Sequence, residues 1–218
     1  MKAKFTELVF ILDRSGSMGG LEGDTIGGYN AMLAKQRAAA GEARITTVLF
    51  DDRYELLHNR ADIRSAVPIT EREYFVRGST ALLDAIGRTI DTLIRAQRNA
   101  DREHRAERVI FVITTDGMEN ASREYDSARV KAMIERQKNR YGWEFLFLGA
   151  NIDAIETAGR FGIASNRAQN YCADEEGTRL NYRAMSEAVL SFRRCGKVSE
   201  HWGDAIQEDF RRRGGLPR

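Results

Sequence analysis

Short runs of Val, Ile, Leu and Phe alternate along this chain with longer segments in which apolar residues recur at the period of an α-helix. Several of the short runs are apolar at successive positions, which is typical of strands buried on both faces of a parallel sheet. Repeated alternation of such strands with helices indicates an α/β fold. We therefore predict a doubly wound, Rossmann-like α/β sheet that has helices on both faces.

The boundaries of the elements follow from the same pattern. The predicted strands cover residues 6–12, 44–50, 53–58, 108–114, 143–148 and, weakly, 169–172. The predicted helices cover residues 24–39, 80–99, 125–139, 152–160 and 178–193. Only Asp51 and Asp52 separate the second and third strands, which predicts an antiparallel hairpin. Gly27 and Gly28 each cost about 1 kcal/mol relative to alanine in a helix, so we expect close packing at that point.

Length and composition describe one globular domain, or at most one domain with a short appendage. The 218 residues, 42% of them hydrophobic, are enough to bury a sizeable core. We assign residues 1–195 to the α/β domain and residues 196–218 to a C-terminal extension whose Arg-rich end is typical of a flexible terminus. The net charge of +2 argues against a polybasic nucleic-acid arm as the main theme. The arginines near the C-terminus have no interleaved aromatic residues, so we do not expect nucleic-acid binding.

The sequence also predicts the cellular location of the protein. The N-terminal apolar run is short and meets Asp13 at once, without a small-residue cleavage site behind it. No window approaches the roughly 18 apolar residues of a membrane span. Cys172 and Cys195 form no C-x-x-C pair, so we expect free thiols in a reducing compartment. These features predict a cytoplasmic protein.

Oxygen-bearing side chains follow two of the predicted strands and precede one helix. In open α/β sheets, ligands bind beyond the carboxyl ends of the strands. In a loop that leaves a strand, alternate side chains can converge on one point, and carboxylates and hydroxyls suit Mg²⁺, Mn²⁺ or Ca²⁺ better than Zn²⁺ or Cu. We therefore predict a metal site made of Asp13, Ser15, Ser17, Thr80 and Asp116.

Each of these residues also has an ordinary structural interpretation. Asp13 and the serines could form a turn, Thr80 could cap the helix that follows it, and Asp116 precedes a glycine in a common turn pair. Their joint occurrence at strand and helix ends, where α/β proteins place their sites, favours function.

The five residues resemble a known motif. Asp13, Ser15 and Ser17 in "FILDRSGSM", Thr80 in "RGSTALLDAI" and Asp116 in "VIFVITTDG" resemble the metal-ion-dependent adhesion site of von Willebrand factor A domains. The likeness extends over residues 5–165. It implies a mainly parallel sheet with one antiparallel edge strand, which the predicted hairpin would supply. It also implies that the hydroxyls contact the metal, that the aspartates act directly or through water, and that a Glu or Asp of a partner protein completes the coordination.

The chain is similar to the small intracellular bacterial members of that family, which often act with AAA-type ATPases or other complexes. The resemblance thus implies a Mg²⁺-dependent protein-interaction module, with Mn²⁺ or Ca²⁺ as other suitable ions. The main alternative is a metal-dependent hydrolase that acts on phosphoesters. It would need a general base or a second metal, and the histidines at positions 58, 104 and 201 are scattered. Neither G-x-G-x-x-G nor a P-loop is present to support nucleotide binding.

Overall fold

The computed structural model of the chain describes residues 5–101 and 104–215. Within them, strands and helices alternate as the sequence predicts. The strands are β1 (Thr6–Asp13), β2 (Ala43–Phe50), β3 (Tyr54–Asp62), β4 (Arg108–Thr115), β5 (Glu144–Gly149) and β6 (Ala168–Asn170). The α-helices are α1 (Glu22–Ala38), α2 (Leu82–Asn99), α3 (Ser127–Tyr141), α4 (Ala154–Arg160), α5 (Glu175–Cys195) and α6 (Asp204–Arg212).

The six strands form one sheet in the order β3-β2-β1-β4-β5-β6. Only the β2–β3 pair is antiparallel, and it lies at one edge. The predicted doubly wound, mostly parallel sheet with one antiparallel edge strand is therefore confirmed. The chain order of the strands reverses between β1 and β4, which makes the crevice at their carboxyl ends the switch point of the sheet.

Two apolar layers enclose the sheet. Alternate residues of β1 face opposite sides, as the two-residue period of a strand requires. Leu8 and Phe10 belong to the layer that includes α1 and α5, whereas Val9 and Ile11 belong to the layer that includes α2, α3 and α4. A strand sandwiched in this way is apolar at consecutive positions, which explains the run that predicted it.

The boundaries differ from the predicted ones by a few residues. The hairpin turn contains three residues, 51–53, because the Asp51 carboxylate accepts a hydrogen bond from the Arg53 amide (2.7 Å) and the Asp51 amide donates to the Arg53 carbonyl (3.1 Å). The prediction of a two-residue turn was thus wrong. Helix α2 begins at Leu82 rather than at Thr80.

The C-terminal segment contains a helix, α6, that the sequence pattern did not predict. Trp202 and Ile206 are buried in the same apolar layer as α1 and α5. At the end of this helix, Arg213 is paired with Asp209 and with Asp174. Residues 216–218, including Arg218 of the predicted Arg-rich tail, lie outside the described residues.

None of the helices in residues 5–101 and 104–215 combines the length and apolar composition that a membrane span requires.

Candidate metal site

The topology brings the five predicted site residues to one edge of the sheet. Asp13 ends β1 and Asp116 directly follows β4, and these two strands are parallel neighbours. Ser17 lies in a short 3-10 helix (Gly16–Met18) behind Asp13, and Ser15 immediately precedes that helix. Thr80 enters from the segment before α2. The candidate site therefore lies at the switch point, which is where open α/β sheets bind their ligands.

Three hydroxyl groups lie against one another. The Ser15 and Ser17 Oγ atoms are 3.1 Å apart, and the Thr80 hydroxyl donates to Ser15 Oγ over 3.0 Å. Gly117 packs on the same group, since a Cβ atom there would lie 2.9 Å from Ser17 Oγ and 3.0 Å from Thr80 Oγ1. The capping interpretation of Thr80 was wrong, because Ala81 occupies the N-cap of α2 and the Thr80 hydroxyl is directed at Ser15.

The two carboxylates have different surroundings. Asp13 accepts hydrogen bonds from the Ser15 amide (2.7 Å) and from the Thr115 hydroxyl (2.5 Å), so it also forms the turn that its alternative interpretation proposed. Burial raises its pKa, and these bonds oppose the shift. Both oxygens of Asp116 are buried without any hydrogen-bond partner within the described residues.

The charge of Asp116 is therefore poorly compensated. Burial, and secondarily the charge of Asp13, raise the pKa of Asp116 to about 6, while the nearby Ser17 hydroxyl opposes the shift without reaching hydrogen-bond geometry. Buried polar groups in native proteins are nearly always satisfied, and an unpaired buried carboxylate is costly. A cation beside Asp116 would remove that cost.

The donor set fits a hard divalent ion. It consists of two carboxylates and three hydroxyls, which are the oxygen ligands that Mg²⁺, Mn²⁺ and Ca²⁺ accept. The described part of the chain contains no cluster of three or more His, Cys, Asp or Glu side chains suited to a metal. A site at this edge would thus depend on its hydroxyls as much as on its carboxylates.

A cleft of about 410 Å³ opens to solvent over the three hydroxyl residues, Ser15, Ser17 and Thr80. Asn120, Met118 and Asn151 stand at its sides, and none of the described residues that line it carries a charge. Met118 is 75% exposed. A larger cleft of about 760 Å³ lies between α5 and α6, but it lies away from the five residues, and lining residues such as Arg213 and Asp209 pair with each other.

Sequence reasoning missed the residues that hold the predicted ones in place. Thr115 fixes Asp13, and its position beside Asp116 in the "TTDG" run was the available signal. Asn120 accepts a hydrogen bond from the Thr80 amide (2.9 Å), and its own amide donates to the Thr80 carbonyl (3.0 Å). Arg14, which stands between Asp13 and Ser15, faces away from the site and is completely buried.

Comparison with known proteins gives a clear result at the level of the fold. No protein-family model matches the sequence, and no curated protein matches it significantly. Among solved structures, a von Willebrand factor type A protein from Catenulispora acidiphila matches with a TM-score of 0.59 at 15% identity, over 87% of this chain and 43% of that chain. Manganese-loaded TRAP from Plasmodium vivax matches with a TM-score of 0.51 at 19% identity, over 68% and 58% of the two chains.

A third similar structure is the proximal thread matrix protein 1 of the mussel byssus, which is described with a zinc-occupied metal-ion-dependent adhesion site motif. It has a TM-score of 0.52 at 15% identity over 86% of this chain and 46% of that one. The present chain spans less than two thirds of the length of each of these proteins. The chain thus has the von Willebrand factor A fold, as its five motif residues predict.

Proposed function

We propose that this protein is a divalent-metal-dependent interaction module whose ion is held by Asp13, Ser15, Ser17, Thr80 and Asp116. The ion would be Mg²⁺ in the cell, with Mn²⁺ or Ca²⁺ as substitutes. A bound divalent ion supplies a positive centre to which an anionic oxygen from outside can bind. The partner would be a protein that presents a Glu or Asp carboxylate, with a cytoplasmic AAA-type ATPase or another complex as the candidate class.

The observation that carries the proposal is the orphaned Asp116 carboxylate beside three clustered hydroxyls. Two carboxylates balance the charge of a divalent ion without surplus, and hydroxyls are weak donors, so the ion would keep affinity for one more anion. The cleft exposes the three hydroxyl residues to solvent and has no charged side chain in its lining. The manganese and zinc described in two structures of the same fold support a divalent ion in general.

The hydrolase alternative receives no specific support from the geometry. None of the three histidines lines the cleft. His58 lies on β3, which β2 separates from β1, and its ring contacts the hydroxyl groups of Thr47 and Tyr29. His201 is paired with Asp204. A general base at the metal site would have to come from elsewhere.

Isothermal titration with Mg²⁺, Mn²⁺ and Zn²⁺ tests the metal claim. We expect one ion per chain for the wild type and a loss of affinity of about 10-fold or more for Asp116→Asn, because a charged ligand is lost. Asp126→Asn is the matched control, since Asp126 caps α3 and Asn caps a helix equally well. Equal affinity of Asp116→Asn and Asp126→Asn would contradict the proposal, and so would the absence of binding by the wild type.

The partner claim needs a second experiment. Immobilised protein should retain a partner in Mg²⁺ and release it in EDTA, and Asp116→Asn should retain none. Metal-loaded protein should also be assayed on a generic phosphoester. If the wild type turns over the phosphoester and Asp116→Asn does not, the protein is a hydrolase and not an interaction module.

A further inference from the structure

Arg14 stands between Asp13 and Ser15, and its side chain is completely buried. Its guanidinium group donates from Nε to Asp51 (2.9 Å), from Nη2 to Glu55 (2.7 Å) and from Nη1 to the Glu73 carbonyl (2.9 Å). Three nitrogens thus bond to two other segments of the chain, the β2–β3 hairpin and the segment that contains Glu73. A planar guanidinium with this many fixed partners is a rigid anchor for its own backbone.

The Arg14 partner Asp51 also holds the other side of the candidate site. The Asp51 carbonyl accepts a hydrogen bond from the amide of Ala81, the residue after Thr80 (2.9 Å). Its carboxylate forms a second ion pair, with Arg77 Nε (2.7 Å). One buried ion pair, Arg14–Asp51, therefore ties the segment that carries Ser15 to the segment that carries Thr80.

Backbone hydrogen bonds run alongside this ion pair. The Arg77 amide donates to the Arg14 carbonyl (3.0 Å), and the Gly16 amide donates to the Gly78 carbonyl (3.1 Å). Gly78 has a φ of +65°, which glycine adopts readily, and a Cβ atom there would lie 2.2 Å from the Asp52 carboxylate. The two segments are thus packed too closely to shift independently.

The charges of the cluster balance one another. Two guanidinium groups, of Arg14 and Arg77, face the carboxylates of Asp51 and Glu55. Arg14 therefore adds no uncompensated positive charge behind the site, where it would repel a cation. Its guanidinium also lies 5.2 Å from the Phe75 ring centroid, and that of Arg77 lies 5.1 Å from the same ring.

We propose that the Arg14–Asp51 ion pair positions the Ser15 and Thr80 hydroxyls for the metal ion, so that Arg14 is a positioning residue of the site. It does not itself contact the ion. This inference rests on the proposed metal-binding function, and it makes metal affinity depend on a side chain that points away from the metal. Supporting groups of this kind typically change metal affinity by about 10- to 100-fold.

The chain offers a matched control in a second buried ion pair. Arg60 Nε lies 2.9 Å from Glu7 Oε2, and the Glu7 side chain is fully buried. Glu7 precedes Asp13 by six residues on β1, which at 3.3 Å per residue places it about 20 Å away. Loss of this pair should affect folding alone.

Mn²⁺ titration should be carried out on the wild type, Arg14→Met, Arg60→Met and Asp51→Asn, at a temperature at which circular dichroism shows each to be folded. We expect Arg14→Met to bind Mn²⁺ about 10-fold more weakly or worse, and Asp51→Asn to be weakened as well. Arg60→Met should bind within about twofold of the wild type. In EDTA, both Arg→Met variants should unfold at lower temperature, but only Arg14→Met should lose the Mn²⁺-induced rise in unfolding temperature.

Unchanged Mn²⁺ affinity in Arg14→Met, or an equal loss in Arg60→Met, would overturn the positioning role. If Arg14→Met does not fold, Arg14→Lys and Asp51→Asn decide the question, because lysine keeps the charge but cannot reach three partners at once. Failure of the wild type to bind Mn²⁺ would overturn the proposed function and this inference with it. Binding by the wild type together with unaffected variants would overturn this inference alone.

Discussion

A single carboxylate concentrates the unfavourable energy of the candidate site. Asp116 is buried, has no hydrogen-bond partner among the described residues and lies close enough to Asp13 to feel its charge. Side chains that raise the energy of the folded state are commonly retained where a ligand relieves them. Asp116 should therefore lower the free energy of unfolding of the metal-free protein and raise that of the metal-bound protein.

We expect Asp116→Asn to stabilise the metal-free protein by about 1–2 kcal/mol at about pH 7.5. The folded pKa of Asp116, about 6, lies above its ordinary value near 4. Below both values the carboxyl is protonated in the folded and unfolded chains, and it costs nothing. As the pH rises through this window, the unfolded chain ionises first, and the wild type loses stability that the variant keeps.

Urea unfolding in EDTA at about pH 4.5 and about pH 7.5 measures the difference. The gain from Asp116→Asn should be largest at the higher pH and should shrink at the lower one. Asp126→Asn, at an exposed helix cap, is the control for the loss of one carboxylate outside the site. A variant that is less stable than the wild type at both pH values would show that the Asp116 carboxylate is not a burden to the fold.

At the scale of elements, two adjacent glycines in α1 have different roles. Both were expected to allow close packing. A Cβ atom on Gly28 would lie 2.4 Å from a ring carbon of Tyr182 on α5, whereas a Cβ atom on Gly27 would meet nothing within 4 Å. The expected contact thus exists at Gly28 and is absent at Gly27.

This contrast predicts opposite effects of the same substitution. Gly27→Ala should stabilise the protein by about 0.5–1 kcal/mol, because alanine costs less conformational entropy in a helix. Gly28→Ala should destabilise it by about 1–3 kcal/mol, because Tyr182 must move to make room. Thermal unfolding of the two variants gives the comparison directly. Stabilisation by both would refute the close packing of Gly28 on Tyr182, and destabilisation by both would refute the open space at Gly27.

The sequence predicts an element well where its apolar residues are dense and poorly where they are sparse. β1 and β4 were placed to within one residue, since each is a continuous apolar run with polar residues at its end. Helix α6 escaped prediction because Ile206 and Phe210 are the only large apolar side chains in its nine residues. Such a helix can be recognised from its packing in the folded protein but not from its sequence pattern.

At the scale of the whole molecule, the candidate site was predictable because the fold itself assembles it. Parallel strands place their carboxyl ends at one edge, so Asp13 and Asp116 had to lie near each other once β1 and β4 were neighbours. The support of the site was not predictable in this way. Arg14 bonds to Asp51, 37 residues away, and to the Glu73 carbonyl, 59 residues away, and no local pattern encodes either contact.

The C-terminal extension, residues 196–218, poses the remaining question at this scale. Ile206 of α6 is 1% exposed and lies in the apolar layer shared with α1 and α5. If α6 belongs to the same cooperative unit as the sheet, Ile206→Ala should lower the free energy of unfolding by about 2–4 kcal/mol. Gln207→Ala, at the exposed neighbouring position, should change it by less than about 0.5 kcal/mol.

Urea unfolding followed by circular dichroism distinguishes the two arrangements. A single transition that shifts to lower urea in Ile206→Ala means that α6 and the sheet unfold together, and that the domain extends past residue 195. An unshifted transition means that α6 comes off before the sheet unfolds, as a separate extension would. Because none of the α6 residues lines the metal cleft, Mn²⁺ affinity should be the same in the wild type and in both variants in either case.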